Sequence, residues 1–196
     1  KPIRVSKANR AKCVNNLGQI CKSFIGSSID SDGLLPWQLR SNPGPQYSGA
    51  EIFNEANFPE IASALGNPKT LLSPCDPGFK EANKQMGDDF SNPTSKGISY
   101  GIHHGGDLHV HNTILVFTRN VKGAPVRRYY YPSRDDRWMP TGRNFASIAS
   151  EKDALWQGGD HERFGMGGLK KGMGQIGMSD GSVHQSDDNS FSEAVH

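Results

Sequence analysis

The sequence predicts an α+β fold in which a long N-terminal helix packs on an antiparallel β-sheet. Three observations lead there. The first thirty residues repeat apolar positions at steps of three and four. Short apolar, β-branched runs follow only in the second half. A hairpin signal, Asp180-Gly181, sits between two such runs near the end. Helix-period patterning first and strand-period patterning later give segregated layers, not an alternating βα chain.

The helix comes first. Ala8, Ala11, Val14, Leu17, Cys21, Phe24 and Ser28 share one face, while Asn9, Lys12, Asn16, Gln19 and Ser23 lie mostly on the other. Arg4, Lys7, Arg10 and Lys12 make its beginning basic. A free helix start favours acidic residues and a cap, because the dipole is positive there. Ser6 is a late cap candidate, yet the basic run reads better as the lower half of a longer helix whose upper half is missing. A basic collar also suits the boundary with anionic lipid head groups. Asp30, Ser31, Asp32 and Gly33 form a turn cluster and Pro36 opposes continuation. A helix over residues 2–28 would be roughly 40 Å long, and its apolar stripe needs a sheet or neighbouring subunits to cover it.

The remainder reads as follows. Residues 36–50 are an irregular loop. Residues 51–65 hold short helices, with Pro59 at a start and Gly66 as a stop. Residues 70–72 read as a short strand running into the turn SPCDPG. Strands are expected at 99–102, at 112–119, the strongest, and at 126–131. A short helix is expected at 148–156. Residues 175–179 and 182–185 form a hairpin about Asp180-Gly181, and the polar tail after Asp187 reads as an exposed end. The domain reading is a helix over 1–30 and a globular α+β head over 31–196, forming one domain with loop-rich insertions.

Composition excludes several classes. Hydrophobic residues are 34% of the 196, with 23 Gly and 12 Pro, so the core is modest and turns are many. A net charge of +2 is too balanced to argue for nucleic acid, and none is expected as a partner. No run of about eighteen apolar residues offers a membrane span. The glycine-rich GMGGLKKGMG lacks the spacing of a phosphate loop, and there is no nucleophile elbow.

There are three cysteines, Cys13, Cys21 and Cys75. Cys13 and Cys21 are about 12 Å apart along a helix axis, too far to pair with each other. Either of them could pair with Cys75. The run HHGGDLHVH is the best metal candidate. In a strand, His109 and His111 would point to one face, and Gly105-Gly106 would let His103 or Asp107 fold back, as for zinc. Asp180, with Asp187 and Asp188, is a calcium candidate, although Asp180 also suits a turn. Arg127, Arg128, Tyr129, Tyr130, Tyr131, Arg134, Arg137 and Trp138 interleave cations and aromatics, as a carbohydrate- or surface-binding strand would.

Four blocks carry a resemblance. They are Cys13-Val14-Asn15-Asn16-Leu17-Gly18-Gln19-Ile20, Ser73-Pro74-Cys75-Asp76-Pro77, Ser99-Tyr100-Gly101 and Gln175-Ile176-Gly177-Met178-Ser179-Asp180-Gly181-Ser182-Val183. In order and content the chain resembles the pilin-like proteins of type II secretion and type IV pili, and among them the prepilin-type "H-X9-DG" group. The chain departs from that pattern where Cys75 follows Pro74, where His161 stands too far before Asp180, and where Gly177 interrupts an apolar strand. The resemblance implies a non-enzymatic, pilin-like structural subunit; no cofactor is expected beyond the zinc and calcium candidates above, and the resemblance favours calcium, which some such subunits carry in a C-terminal loop. It would face the periplasm or the cell exterior, anchored in the inner membrane through the missing apolar segment. Its partners would be other pilin-like subunits, met through the helix stripe of Ala11, Val14, Leu17, Cys21 and Phe24. The alternatives left by the residues are a metal-binding module or hydrolase at His103, Asp107, His109 and His111, and a carbohydrate- or surface-binding module at residues 129–138.

Overall fold

A computed structural model describes residues 7–41, 44–45, 47, 49–76, 88–93, 98–121, 145–146, 155–156, 166, 169 and 172–193. Its first element is α1 (Lys7–Ser28), about 33 Å long at the usual rise. A 3-10 turn (Ile29–Ser31) tightens its end. The chain then leaves through Asp32 and Gly33, with φ of 53° and 79°. That left-handed pair lets Gly33 N–H reach back to Ser28 O at 2.9 Å, satisfying one of the carbonyls that a helix end leaves open.

A short pair, β1 (Arg40–Ser41) and β2 (Gly44–Pro45), is followed by α2 (Pro59–Leu65). Pro59 sits in the first turn of α2, and Gly66 closes it at φ 68°. The strand expected at residues 70–72 is not formed. Residues Pro68–Leu71 make a 3-10 turn instead, because the Asn67 side chain accepts from Lys69 N–H at 2.9 Å and Pro68 presets the first turn.

The main sheet contains β3 (Tyr100–His103), β4 (Ile114–Thr118), β5 (Phe145–Ala146), β6 (Met173–Met178) and β7 (Val183–Asp187), in the order β5-β3-β4-β6-β7. Strands β3, β4, β6 and β7 are antiparallel, and β5 joins the edge parallel to β3. This is the α+β arrangement expected: α1 lies against β4, β6 and β7.

Both faces of the sheet are covered. On one, Cys13, Leu17, Ile20, Cys21 and Phe24 of α1 join Leu35, Trp37, Phe53, Leu72, Tyr100 and Val116 in a single core. On the other, Ile114, Phe117, Trp156, Ile176, Met178 and Phe191 form a second cluster. Two-sided burial explains why Ile114–Thr118 reads as an unbroken apolar run rather than an alternating one. A bulge between Ile114 and Val116 also breaks the alternation there.

The tail is not an exposed end. It folds as α3 (Asp188–Glu193), whose Phe191 is fully buried and stacks on Trp156 with centroids 4.2 Å apart. Asp187 Oδ1 accepts from Ser190 N–H at 2.8 Å and starts that turn. The strand expected at 126–131, the cation–aromatic run at 127–138 and the basic residues before Lys7 lie outside the described residues, as does the helix expected at 148–156 apart from residues 155–156. Among the described residues, no helix is long and apolar enough to cross a membrane.

Candidate functional site: a buried junction beneath the first helix

Cys13 and Asn16 stand one turn apart on the buried face of α1, at 0% and 7% exposure. An amide is costly to bury without a partner. Asn16 Nδ2 therefore donates to Leu72 O at 3.0 Å, where the chain leaves the 3-10 turn. The next residues form a tight turn, with Asp76 N–H donating to Ser73 O at 3.0 Å. Ser73 Oγ accepts from Cys75 N–H at 3.1 Å and donates to Cys13 Sγ at 3.1 Å.

From the sheet side, the Tyr100 hydroxyl points at Cys13, 3.4 Å from its carbonyl oxygen and 3.6 Å from its sulfur. Ser99 N–H donates to Leu71 O at 2.9 Å, and Arg119 N–H donates to Ser99 O at 3.3 Å. The Arg119 guanidinium then grips the largely buried Asp76 carboxylate through two hydrogen bonds, with Nε to Oδ2 at 2.6 Å and Nη2 on Oδ1. A forked, charge-assisted pair of this kind is strong and directional.

The sulfur chemistry follows from this packing. The thiol of Cys75, together with the hydroxyls of Ser73 and Tyr100, donates to Cys13 and holds its pKa below the ordinary thiol value, against the opposing effects of burial and the Asp76 carboxylate. Cys75 moves the other way, pushed up by its hydrogen bond to Cys13 and by burial. Burial and the Cys13 sulfur raise Tyr100. Burial, with the Asp180 carboxylate, raises Cys21. All three cysteines are buried thiols. The fourth block meets α1 one layer away: a Cβ placed on Gly177 would fall 2.3 Å from Cys21 Sγ. The glycine that interrupts the apolar strand is the seat of that sulfur.

The other three blocks that carried the resemblance thus converge on the first, which lies in α1. The arrangement can fasten a helix to a sheet. With Cys13 at 0% and Cys75 at 1% exposure, it cannot meet a solvent-borne substrate while closed. The junction residues Asn16, Ser73, Tyr100 and Arg119 were not singled out as site residues in the sequence. The only signal there was that three of them stand inside the quoted blocks.

The other expected sites come out differently. Of the helix stripe, Leu17, Cys21 and Phe24 are at 0% exposure within this chain's own core, Val14 is half-buried and Ala11 is exposed. Those three buried residues are therefore not a surface for partners: the chain's own sheet and loops cover them first. The open face of α1 is Lys7, Ala8, Ala11, Lys12, Asn15, Gln19, Lys22 and Gly26, continued by Ile29 in the turn that follows.

His109 and His111 are not on a strand. They are exposed in the loop between β3 and β4, which its own polar groups fold. Asp107 Oδ1 accepts from His109 N–H at 2.8 Å, and Thr113 Oγ1 bonds both Asp107 N–H and Asp107 O. His103, by contrast, is buried at the end of β3, and the His109 ring rests on Gly33. Asp180 lies in the hairpin turn, where its Oδ1 accepts from Ser182 N–H at 2.9 Å and Ser182 Oγ at 2.6 Å. Asp188 Oδ1 accepts from Trp156 N–H at 2.7 Å, and Asp187 caps α3. Asp107, Asp180 and Asp187 serve local turns and Asp188 ties α3 to Trp156, and the described residues hold no group of three side chains able to ligate a metal. Of the expected sulfur pairings, Cys75 and Cys13 share the Ser73 hydroxyl, whereas Cys21 sits against Gly177.

Ser182 Oγ also lies 2.8 Å from His184 Nε2. Ser182 Oγ also donates to Asp180, and both of its partners are exposed. Comparison of the chain with family models, with curated proteins and with solved structures gives no match.

Proposed function

We propose that this chain is a non-enzymatic, pilin-like structural subunit. In this reading it faces the periplasm or the cell exterior, is tethered to the inner membrane by an apolar segment ahead of Lys1, and meets other pilin-like subunits along α1. The observation that carries the reading is the division of labour on α1. One face is sealed on the chain's own sheet, while the open face bears Lys12 and Lys22, and no acidic residue occurs anywhere in the helix. A helix sealed along one face and left open along the other is suited to docking against like helices. The four resemblance blocks support the same reading, because three of them build the junction beneath α1 and the fourth seats Cys21.

Contacts between subunits fall to the open face rather than to Leu17, Cys21 and Phe24. Lys22→Glu and Gln19→Glu should therefore weaken association with like subunits while leaving the unfolding midpoint unchanged. Leu17→Asp should abolish folding itself, because a carboxylate would be buried unpaired. The deciding measurement is the N-terminal sequence and intact mass of the native protein recovered from its own membranes. The reading expects a methylated N-terminus and about twenty apolar residues before Lys1. A native protein that begins near Lys1 and is recovered free of membrane overturns it.

A further inference from the structure

The two cysteines of the junction are 62 positions apart in the sequence, yet both reach the Ser73 hydroxyl. Three groups around them leave little freedom. Ser73 bridges the pair, donating to Cys13 Sγ and accepting from Cys75 N–H, each at 3.1 Å. Tyr100 closes the other side, 3.6 Å from the Cys13 sulfur. The Asp76–Arg119 pair fixes the residue next to Cys75 to the end of β4. Cys13 and Cys75 thus stand on either side of one hydroxyl, within the same buried core. Cys21, two turns along α1, is occupied by Gly177 and the hairpin.

We propose that Cys13 and Cys75 are an oxidisable pair, converted by a small-molecule or protein disulfide into a Cys13–Cys75 cross-link that clamps α1 to the loop, while Cys21 remains a thiol. The chemistry balances as ordinary exchange. The thiolate of one cysteine attacks a sulfur of the oxidant, such as oxidised glutathione, forms a mixed disulfide and expels one glutathione thiolate. The second cysteine, deprotonated, attacks the mixed disulfide, forms the Cys13–Cys75 bond and expels the other. The pair loses two electrons and two protons, and one oxidised glutathione becomes two reduced ones. Either thiolate can open the exchange, because both sequences of attack end in the same bond. Because both sulfurs are sealed from solvent in the folded chain, the exchange takes place while the chain folds. The proposal stands independently of the fibre reading and requires only an oxidising compartment.

The test uses the full chain, refolded from urea in a buffer of oxidised and reduced glutathione and then alkylated. Intact mass and non-reduced peptide mapping read the product. Expected are the loss of two hydrogen atoms, a linked peptide containing Cys13 and Cys75, and one alkylated cysteine, Cys21. Cys21→Ser should still form the link and Cys75→Ser should not. Should Cys75→Ser fail to fold, Cys21→Ser carries the test alone. The oxidised chain should have a folding equilibrium constant up to about a thousand-fold above the reduced one, the chain-entropy value for a closed loop of about 60 residues. Three alkylated cysteines in the refolded chain, or a link through Cys21, overturn the proposal. A cross-linked chain no more stable than its reduced form overturns the clamp.

Discussion

Gly177→Ala tests the contact on which the architecture rests, the seating of α1 on β6. The added Cβ would stand 2.3 Å from Cys21 Sγ and 3.0 Å from Val116 Cγ1. The first distance is far inside van der Waals contact, and neither neighbour is the free end of a flexible side chain. Cys21 is held on a helix and Val116 is stiff at χ1. Overpacking of this kind costs about 1–3 kcal/mol. At a urea m-value of about 2 kcal/mol/M, a loss of 2 kcal/mol lowers the midpoint by about 1 M.

Cys21→Ala by itself leaves a small void worth about 1 kcal/mol. In the double variant the new methyl fills the space the sulfur vacated, so the two losses should not add. A coupling of about 1–2 kcal/mol in the favourable direction is expected. Urea unfolding of the four proteins, followed by far-ultraviolet circular dichroism, supplies all the numbers. A Gly177→Ala chain as stable as wild type, or losses that simply add, would refute the claim that α1 packs on β6 through this sulfur.

Three further outcomes are expected. Asp76→Ala leaves the Arg119 guanidinium partly buried without its partner and should cost about 3 kcal/mol; urea unfolding of Asp76→Ala, Arg119→Met and the double variant checks it, the double being less impaired than Asp76→Ala. Phe191→Ala removes a fully buried ring from the Trp156 stack and should cost about 3–5 kcal/mol, with a change in tryptophan emission that a polar, exposed tail would not produce. Hydrogen bonds from Ser182 and Ser190 hold the Asp180 and Asp187 carboxyls below the ordinary aspartate value. Depressed folded-state values add stability that is present above the unfolded pKa and is lost as pH falls through the folded one. Asp180→Asn with Asp187→Asn should therefore flatten the fall in unfolding midpoint below about pH 4; an unchanged acid limb would refute it.

Much of the architecture was legible because it is written in short-range periodicity. The stripe at steps of three and four marks α1, the β-branched run marks β4, Pro59 and Gly66 bracket α2, and Asp180-Gly181 sits at the β6–β7 turn. The local readings failed where a side chain redirected the backbone. Asn67 capped a turn at a segment that looked extended, and Asp107 with Thr113 folded the histidine loop off the strand. The polar tail hid α3 because one residue, Phe191, carries its anchorage, and a single apolar residue has no period.

The candidate site was visible only as separate pieces. Helix period follows from 3.6 residues per turn, so Cys13, Leu17, Cys21 and Phe24 share a face in any fold. That property belongs to the sequence by itself. What covers the face does not: Leu17, Cys21 and Phe24 suited partner subunits equally well until the chain's own sheet enclosed them. The sequence likewise allowed Cys75 to meet either Cys13 or Cys21. Tertiary structure alone chose Cys13, and it alone joined Asp76 to Arg119 across 43 positions. The physical reason is range: dihedral preferences and side-chain spacing act over a few residues, whereas the partners of a buried thiol or carboxylate are set by how the whole chain closes on itself.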